Sequence, residues 1–250
     1  MSSVLVVAGG PIRQRAWCVE RHVQALHQAA LHAGVELFYN YVVGESSDGT
    51  AGELAKAIQA TGRDYGLTWV DNPPGVGHTR DHGNRYSMHY LTQLRQQWVD
   101  MSPPDATHLW AVDSDIIVRA PTLRRLIDAD GLMVGANVRL SEHNSNVRNV
   151  MFEWRGDYTS GEPYRTGREH YFVGHNDTVR ASWVGACVLY RRSVFDENGF
   201  DCRYDEPSVL TQPSIRMEEL GILRKLRVRG VVPWWCPDAR TNHLMTVPGE

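Results

Sequence analysis

The chain has 250 residues, 26 Lys and Arg against 29 Asp and Glu, a net charge of −3 and 42% apolar residues. This is the size and composition of a soluble globular protein that can bury a full core in one domain. The charge excludes a whole-protein basic field that would draw in nucleic acid or an anionic membrane, and no segment approaches the run of about 20 apolar residues that spans a bilayer.

Two further global features point the same way. Residues 1–8 have no basic region and too short an apolar run for a signal peptide. Cys18, Cys187, Cys202 and Cys236 form no Cys-x-x-Cys pair, so free thiols in a reducing cytoplasm are expected rather than disulfides or a zinc site.

In chain order, residues 4–8 form an apolar run closed by Gly9-Gly10-Pro11, and Trp17, Val23, Leu26, Ala30 and Leu31 then recur at helical spacing over about 15–33. Residues 35–43 read as a second strand. The turn-rich stretch 44–50 leads into a helix over about 51–60, and residues 67–70 make a third strand. This alternation predicts an α/β fold with a mainly parallel sheet and helices on both faces. Ligands of such sheets sit beyond the carboxyl ends of the strands, where Gly9-Gly10 and Asp48 would lie.

A polar segment, 77–85, opens a helix to about residue 99 with Tyr86, Tyr90, Leu91, Leu94 and Trp98 as its apolar positions. The stretch that follows, 108–118, is the focus of the chain: an apolar run delivers Asp113 and Asp115 and then resumes. Carboxylates in a buried strand are costly unless something cationic meets them. An Asp-x-Asp turn suits a hard divalent ion that keeps other positions for waters and diphosphate oxygens; a plain turn capped by Asp113 is the alternative.

Pro121 stands at the start of a short helix, and residues 132–138 form another strand. Over 139–180 periodicity is lost, which in a compact domain marks a functional or mobile loop rather than filler. Residues 182–190 read as one strand, 213–226 as a helix carrying Glu218 and Glu219 and ended by Gly230, and 231–235 as a last apolar segment. With no repeat and no linker, residues 1–250 are expected to form one domain.

The order of these motifs resembles nucleotide-sugar-dependent glycosyltransferases of the GT-A fold, particularly family 2 and the mannan-polymerase-like families. The resemblance is carried by Gly10-Pro11-Ile12-Arg13, Ser47-Asp48-Gly49-Thr50, Arg80-x-x-Gly83-Asn84, Asp113-Ser114-Asp115, the segment 183–195, Gly199-Phe200-Asp201 and Glu218-Glu219-Leu220. It covers nearly the whole chain outside 139–180, and the shared order is what makes weak motifs informative.

The resemblance implies a donor that is a UDP- or GDP-sugar, bound by Gly10, Pro11, Arg13, Glu45, Asp48, Arg80, Asn84 and Asp113. Asp115 would be the direct metal ligand, with Asp113 on the ribose or reaching the ion through water. His243 would be a further ligand, and its imidazole favours Mn2+ over Mg2+. Gly44-Glu45-Ser46 stands where the family has an Asp-Asp pair, so the nucleobase is open. Inverting members carry a carboxylate pair at the start of a helix, which makes Glu219 the candidate general base and Glu218 its neighbour; retaining chemistry stays open.

On the acceptor side the resemblance points to 139–180 and to Trp154, Arg155, Trp183 and Gly185. Six arginines between 139 and 180 are cancelled by Glu142, Glu153, Asp157, Glu162, Glu169 and Asp177, which argues against an electrostatic nucleic-acid groove. A saccharide or glycoside acceptor is favoured over a hydroxylated base in DNA. Sugar nucleotidyltransferase and non-catalytic sugar-nucleotide-binding module are the competing classes, and the first would release pyrophosphate.

Overall fold

The computed structural model describes residues 4–71, 85–139, 151–153, 178–204, 208–209, 216–217 and 219–244. Its first half consists of β1 (Leu5–Ile12), α1 (Ala16–Ala33), β2 (Glu36–Gly44), α2 (Thr50–Gln59), β3 (Tyr65–Val70), α3 (Arg85–Asp100) and β4 (His108–Val112). The strands lie in the order β3-β2-β1-β4 with every neighbour parallel.

Side-chain alternation explains why these strands are buried on both faces. Val6 and Ala8 of β1 and Trp110 and Val112 of β4 enter one core, with Val19, Val23 and Leu26 of α1 and Leu54 and Ile58 of α2. Val7, Leu109 and Ala111 point the other way, into a second core with Trp98 and Val99 of α3. Helices therefore cover both faces, as the strand and helix alternation predicts. Asn40, buried in β2, ties that sheet to α3 by donating to the Trp98 carbonyl at 2.9 Å and to Ser102 Oγ at 3.1 Å.

The second half is built differently. It comprises β5 (Ile116–Val118), α4 (Thr122–Asp128), β6 (Met133–Arg139), β7 (Met151–Glu153), β8 (Val179–Val184), β9 (Cys187–Arg191), β10 (Ser208–Val209), β11 (Arg216–Met217), α5 (Glu219–Val228) and β12 (Trp234–His243). The sheet continues from β4 as β9-β6-β12-β8-β7. β9 runs antiparallel to both β4 and β6, whereas β12 is parallel to β6 and antiparallel to β8 and β5. Ile222, Leu223 and Leu226 of α5 join the second core, and Leu123 and Leu126 of α4 the first.

Three sequence expectations are corrected here. The strand expected over 182–190 is two strands, because the Cys187 amide donates back to the Gly185 carbonyl at 2.7 Å around Ala186, whose φ is 61°. That γ-turn moves the chain from the β12 side of the sheet to the slot between β4 and β6. The helix expected from residue 213 begins only at Glu219, since Arg216–Met217 pair with Ser208–Val209. The last apolar segment does not stop at 235 but continues as β12 to His243, across a bulge between Cys236 and Arg240.

All four cysteines are free and buried. Among the described residues no helix is long and apolar enough to cross a membrane.

Candidate functional site

β4 ends at Val112, and the next three residues turn tightly before β5. The Asp113 amide donates to the Ala186 carbonyl at 2.9 Å, the Ile116 amide closes the turn on the Asp113 carbonyl at 2.9 Å, and the Leu244 amide donates to the Asp115 carbonyl at 2.8 Å. The last bond fastens the turn to the end of β12, where His243 pairs with Ile116. Both carboxylates thus stand at the carboxyl end of β4, beside the matching end of β1.

Asp115 is 14% exposed and is met on both oxygens: Arg15 Nη2 donates to Oδ2 at 3.1 Å, and His243 Nε2 lies 3.2 Å from Oδ1. Burial alone would raise its proton affinity, but His243 and Arg15 outweigh that and hold the carboxyl below its ordinary pKa. For His243 burial acts to lower the pKa, and the Asp115 carboxylate more than offsets it, leaving the imidazole raised.

Asp113 is held by a different arginine. Arg95 Nη2 donates to Oδ1 at 2.5 Å, and the Arg95 side chain is 5% exposed against 38% for Asp113. Room for this guanidinium comes from β1: a Cβ on Gly10 would fall 2.7 Å from Arg95 Nη1, and one on Gly9 would fall 1.9 Å from the Asn40 carbonyl oxygen. Both glycines have positive φ, 148° and 141°, which side chains rarely adopt.

Asp48 organises the adjoining loops. Its Oδ2 accepts from the Ala16 amide at 3.0 Å and its Oδ1 from the Thr50 amide at 3.0 Å, so one carboxylate caps the first turns of α1 and α2 together. Burial would raise its pKa, but the bonds from Thr50 and Ala16 lower it overall. Gln14 bridges the same loops through Ser46 and Ser47 at 3.1 Å each. Beneath the turn lies His22, fully buried. Its Nδ1 is 2.8 Å from the Ile116 carbonyl, so that nitrogen carries the proton and Nε2 accepts from the Tyr41 hydroxyl at 2.9 Å.

Of the residues singled out in the sequence, Gly10, Pro11, Arg13, Asp48, Asp113, Asp115 and His243 gather at this end of the sheet, with Gly185 beside them through its turn with Ala186. Glu45 follows β2 and is exposed. Trp183 lies in β8 opposite Phe152, and Glu219 is the first residue of α5. Arg80, Asn84, Trp154, Arg155 and Glu218 lie outside the described residues.

Arg15, Arg95 and Ala186 were not singled out. Arg95 left a readable signal: it falls between Leu91 and Trp98 on the apolar stripe of its helix, where a charge must find a buried partner. Asn137 of β6 was not singled out either. Its Nδ2 donates to the Pro237 carbonyl at 2.9 Å, while its Oδ1 is buried with no hydrogen-bond partner.

Among the described residues no three His, Cys, Asp or Glu side chains converge as a ready cation site. Asp115 and His243 are a carboxylate and an imidazole at ligand spacing, and the buried His243 Nδ1 has no hydrogen-bond partner, so Nε2 is the nitrogen aimed at the carboxylate. Two protein ligands of this type fit a divalent ion whose remaining positions come from a bound diphosphate and water.

No family model matches the sequence, and no curated protein matches it. The fold does match solved structures. Staphylococcus aureus TarS superposes with TM-score 0.57 at 10% identity over 98% of this chain and 37% of that one, and its 1–349 fragment in complex with UDP with TM-score 0.56 at 10% identity over 96% and 60%. The mannosyltransferase PcManGT from Pyrobaculum calidifontis, in complex with GDP-Man and Mn2+, gives TM-score 0.53 at 13% identity over 99% and 58%. This chain therefore spans between 37% and 60% of the length of these structures. At such identities the likeness is one of architecture, and it establishes that the chain has the GT-A fold.

Proposed function

We propose that the chain is a single-domain, divalent-metal-dependent glycosyltransferase that moves a sugar from a UDP- or GDP-sugar to an acceptor hydroxyl with inversion. The observation that carries this reading is the Asp115 and His243 pair, set 3.2 Å apart at the carboxyl end of β4 beside the Asp113 turn. The complexes of TarS with UDP and of PcManGT with GDP-Man and Mn2+ support the donor and metal classes.

When bound, the ion supplies Lewis-acid stabilisation of the charge that develops on the diphosphate leaving group. Asp115 and His243 hold it, and the imidazole favours Mn2+ over Mg2+. Asp113, fixed through one oxygen by Arg95, offers the other to the ribose or to water. Gly10 and Pro11 bring backbone close to the donor, Arg13, Arg80 and Asn84 bind its diphosphate, and Glu45 contacts the base. The carboxylate of Asp48 is engaged in capping, which supports a role in shaping the donor loop.

Glu219 accepts the proton of the acceptor hydroxyl, and Glu218 raises its proton affinity by like charge. α5 is tied at its far end to the approach of β12 by the Val231 amide on the Leu226 carbonyl at 2.9 Å. That connection fixes where α5 ends, and Glu219 is its first residue. Trp154, Arg155, Trp183 and Gly185 form the acceptor side, for a saccharide or glycoside rather than a modified DNA base. The location is cytoplasmic, a reading supported by the four free cysteines.

The test offers UDP- and GDP-sugars with Mn2+ and, as acceptors, free saccharides or duplex DNA carrying hydroxymethylated pyrimidines. Release of nucleoside diphosphate with a glycosylated saccharide is expected. Release of pyrophosphate would replace this reading with nucleotidyl transfer, and glycosylated DNA would overturn the acceptor assignment.

A further inference from the structure

Both oxygens of Asp115 are engaged by neighbouring side chains, and only one of those neighbours can be a metal ligand. Arg15 takes Oδ2 at 3.1 Å, so a cation that comes to Asp115 meets a permanent positive charge competing for the same carboxylate. Arg15 is anchored at its backbone, where its amide donates to Thr50 Oγ1 at 2.7 Å, while its side chain is 34% exposed. Nη1 donates to the Gln14 carbonyl at 3.0 Å, and Nε is buried with no hydrogen-bond partner. The guanidinium, although paired with Asp115, thus keeps one N–H unmatched, a donor that a second anion such as a diphosphate can take.

Arg95 is not in the same position. Its side chain is 5% exposed and wedged between Gly10 and Asp113, so it stays with its carboxylate. The charges of the site then balance as two pairs, Arg95 with Asp113 and Arg15 with Asp115. A divalent ion alone adds positive charge against Arg15, and a nucleoside diphosphate alone adds negative charge near two carboxylates. The two together largely offset each other, and Arg15 can then turn from Asp115 to the phosphates.

Resting on the metal and nucleotide reading above, we infer that Arg15 is a coupling residue: it guards Asp115 against a lone cation and releases it to the cation when a nucleoside diphosphate takes its guanidinium. Cation and nucleotide consequently tighten each other's binding by the same factor, as linkage requires.

The experiment measures Mn2+ binding to the full chain by the paramagnetic resonance signal of free Mn2+, alone and with excess UDP or, in parallel, GDP, corrected for the nucleotide's own Mn2+ affinity. In the wild type, one of the nucleotides is expected to tighten Mn2+ binding about tenfold or more. Arg15→Met is expected to bind Mn2+ alone about tenfold more tightly than wild type, with the nucleotide enhancement reduced to what direct contact between diphosphate and ion supplies. Arg15→Lys, which keeps the charge, is expected to retain the enhancement, and Arg15→Gln is read in place of Arg15→Met should the latter not fold. An unchanged Mn2+ affinity and unchanged enhancement in the neutral variant would overturn the role of Arg15 while leaving the metal site standing. Absence of Mn2+ binding to the wild type under every condition would overturn the metal site and this inference together.

Discussion

From β1 to β4 every strand runs parallel to its neighbour and the chain returns over a helix each time, whereas from β5 onward the sheet is assembled by pairings between distant segments, with β9 inserted against the direction of β4 and β6. The first half builds loops at the carboxyl ends of its strands, as parallel strand-helix units do, and the Asp113 turn is the last of them. The second half contributes what those loops lack. His243 arrives on a strand that pairs with β5, and the Ala186 carbonyl that holds Asp113 belongs to a turn between β8 and β9. The candidate site thus stands on an end of the sheet made by local repetition and is completed by contacts from as far as about half the chain's length away.

The largest effect that separates the two halves is expected at their glycines. Gly9→Ala puts a Cβ 1.9 Å from the backbone oxygen of Asn40 in the adjoining parallel strand, which cannot move without breaking register, whereas the Cβ of Gly135→Ala in β6 falls 2.3 Å from the Val184 side chain. Gly9→Ala is expected to cost about 3 kcal/mol or more and Gly135→Ala about 1–2 kcal/mol, read from urea unfolding midpoints. Equal costs would mean that the parallel half is no more rigid than the mixed half.

A smaller effect tests the join between β1, α3 and β4. Arg95→Met leaves Asp113 without its guanidinium and fills the space beside Gly10 with an apolar chain, so stability should fall by about 1–3 kcal/mol. Donor affinity should fall as well, measured by the nucleotide concentration needed to raise the melting temperature. Retention of full nucleotide binding would show that Asp113 needs no fixed orientation.

The smallest effect is in pH dependence. His108, at the end of β4 away from the site, has its pKa lowered to about 4 by burial and then by Arg191, and His22 is lowered by burial in the core. Both pKa values lie below the unfolded value of about 6.5. The stability they confer is therefore complete above that pH and is lost as pH falls toward the folded values. Between about pH 6.5 and 5 most carboxylates remain ionised, so unfolding midpoints should decline there, and His108→Gln should flatten part of the decline. A flat profile in the wild type would mean that neither ring is held neutral.

How far the sequence was legible follows the same division. The strand and helix alternation from residue 4 to 100 was readable because each element has its own apolar period, and the Asp113 and Asp115 pair stood out as charge placed in an apolar run. The break between β8 and β9 was not readable: Ala186 adopts a left-handed φ that nothing about alanine announces, and the turn is enforced by where the two strands must pair. Arg15 and Asp115 are 100 residues apart, so no local pattern could reveal their ion pair. His243 was reached only through the family resemblance, and the register of β12 with β5 supplies its physical reason.

The central claim, that Asp115 and His243 bind a divalent ion needed for sugar transfer, is tested most directly by donor turnover with the metal removed and restored. Nucleoside diphosphate release from UDP- and GDP-sugars is measured in EDTA and after Mn2+ is added back, for wild type and Asp115→Ala. The account predicts that EDTA abolishes wild-type turnover, that Mn2+ restores it, and that Asp115→Ala stays slower by about 10²-fold or more with Mn2+ present. Full turnover by the wild type in EDTA, or by Asp115→Ala under any of these conditions, would contradict it.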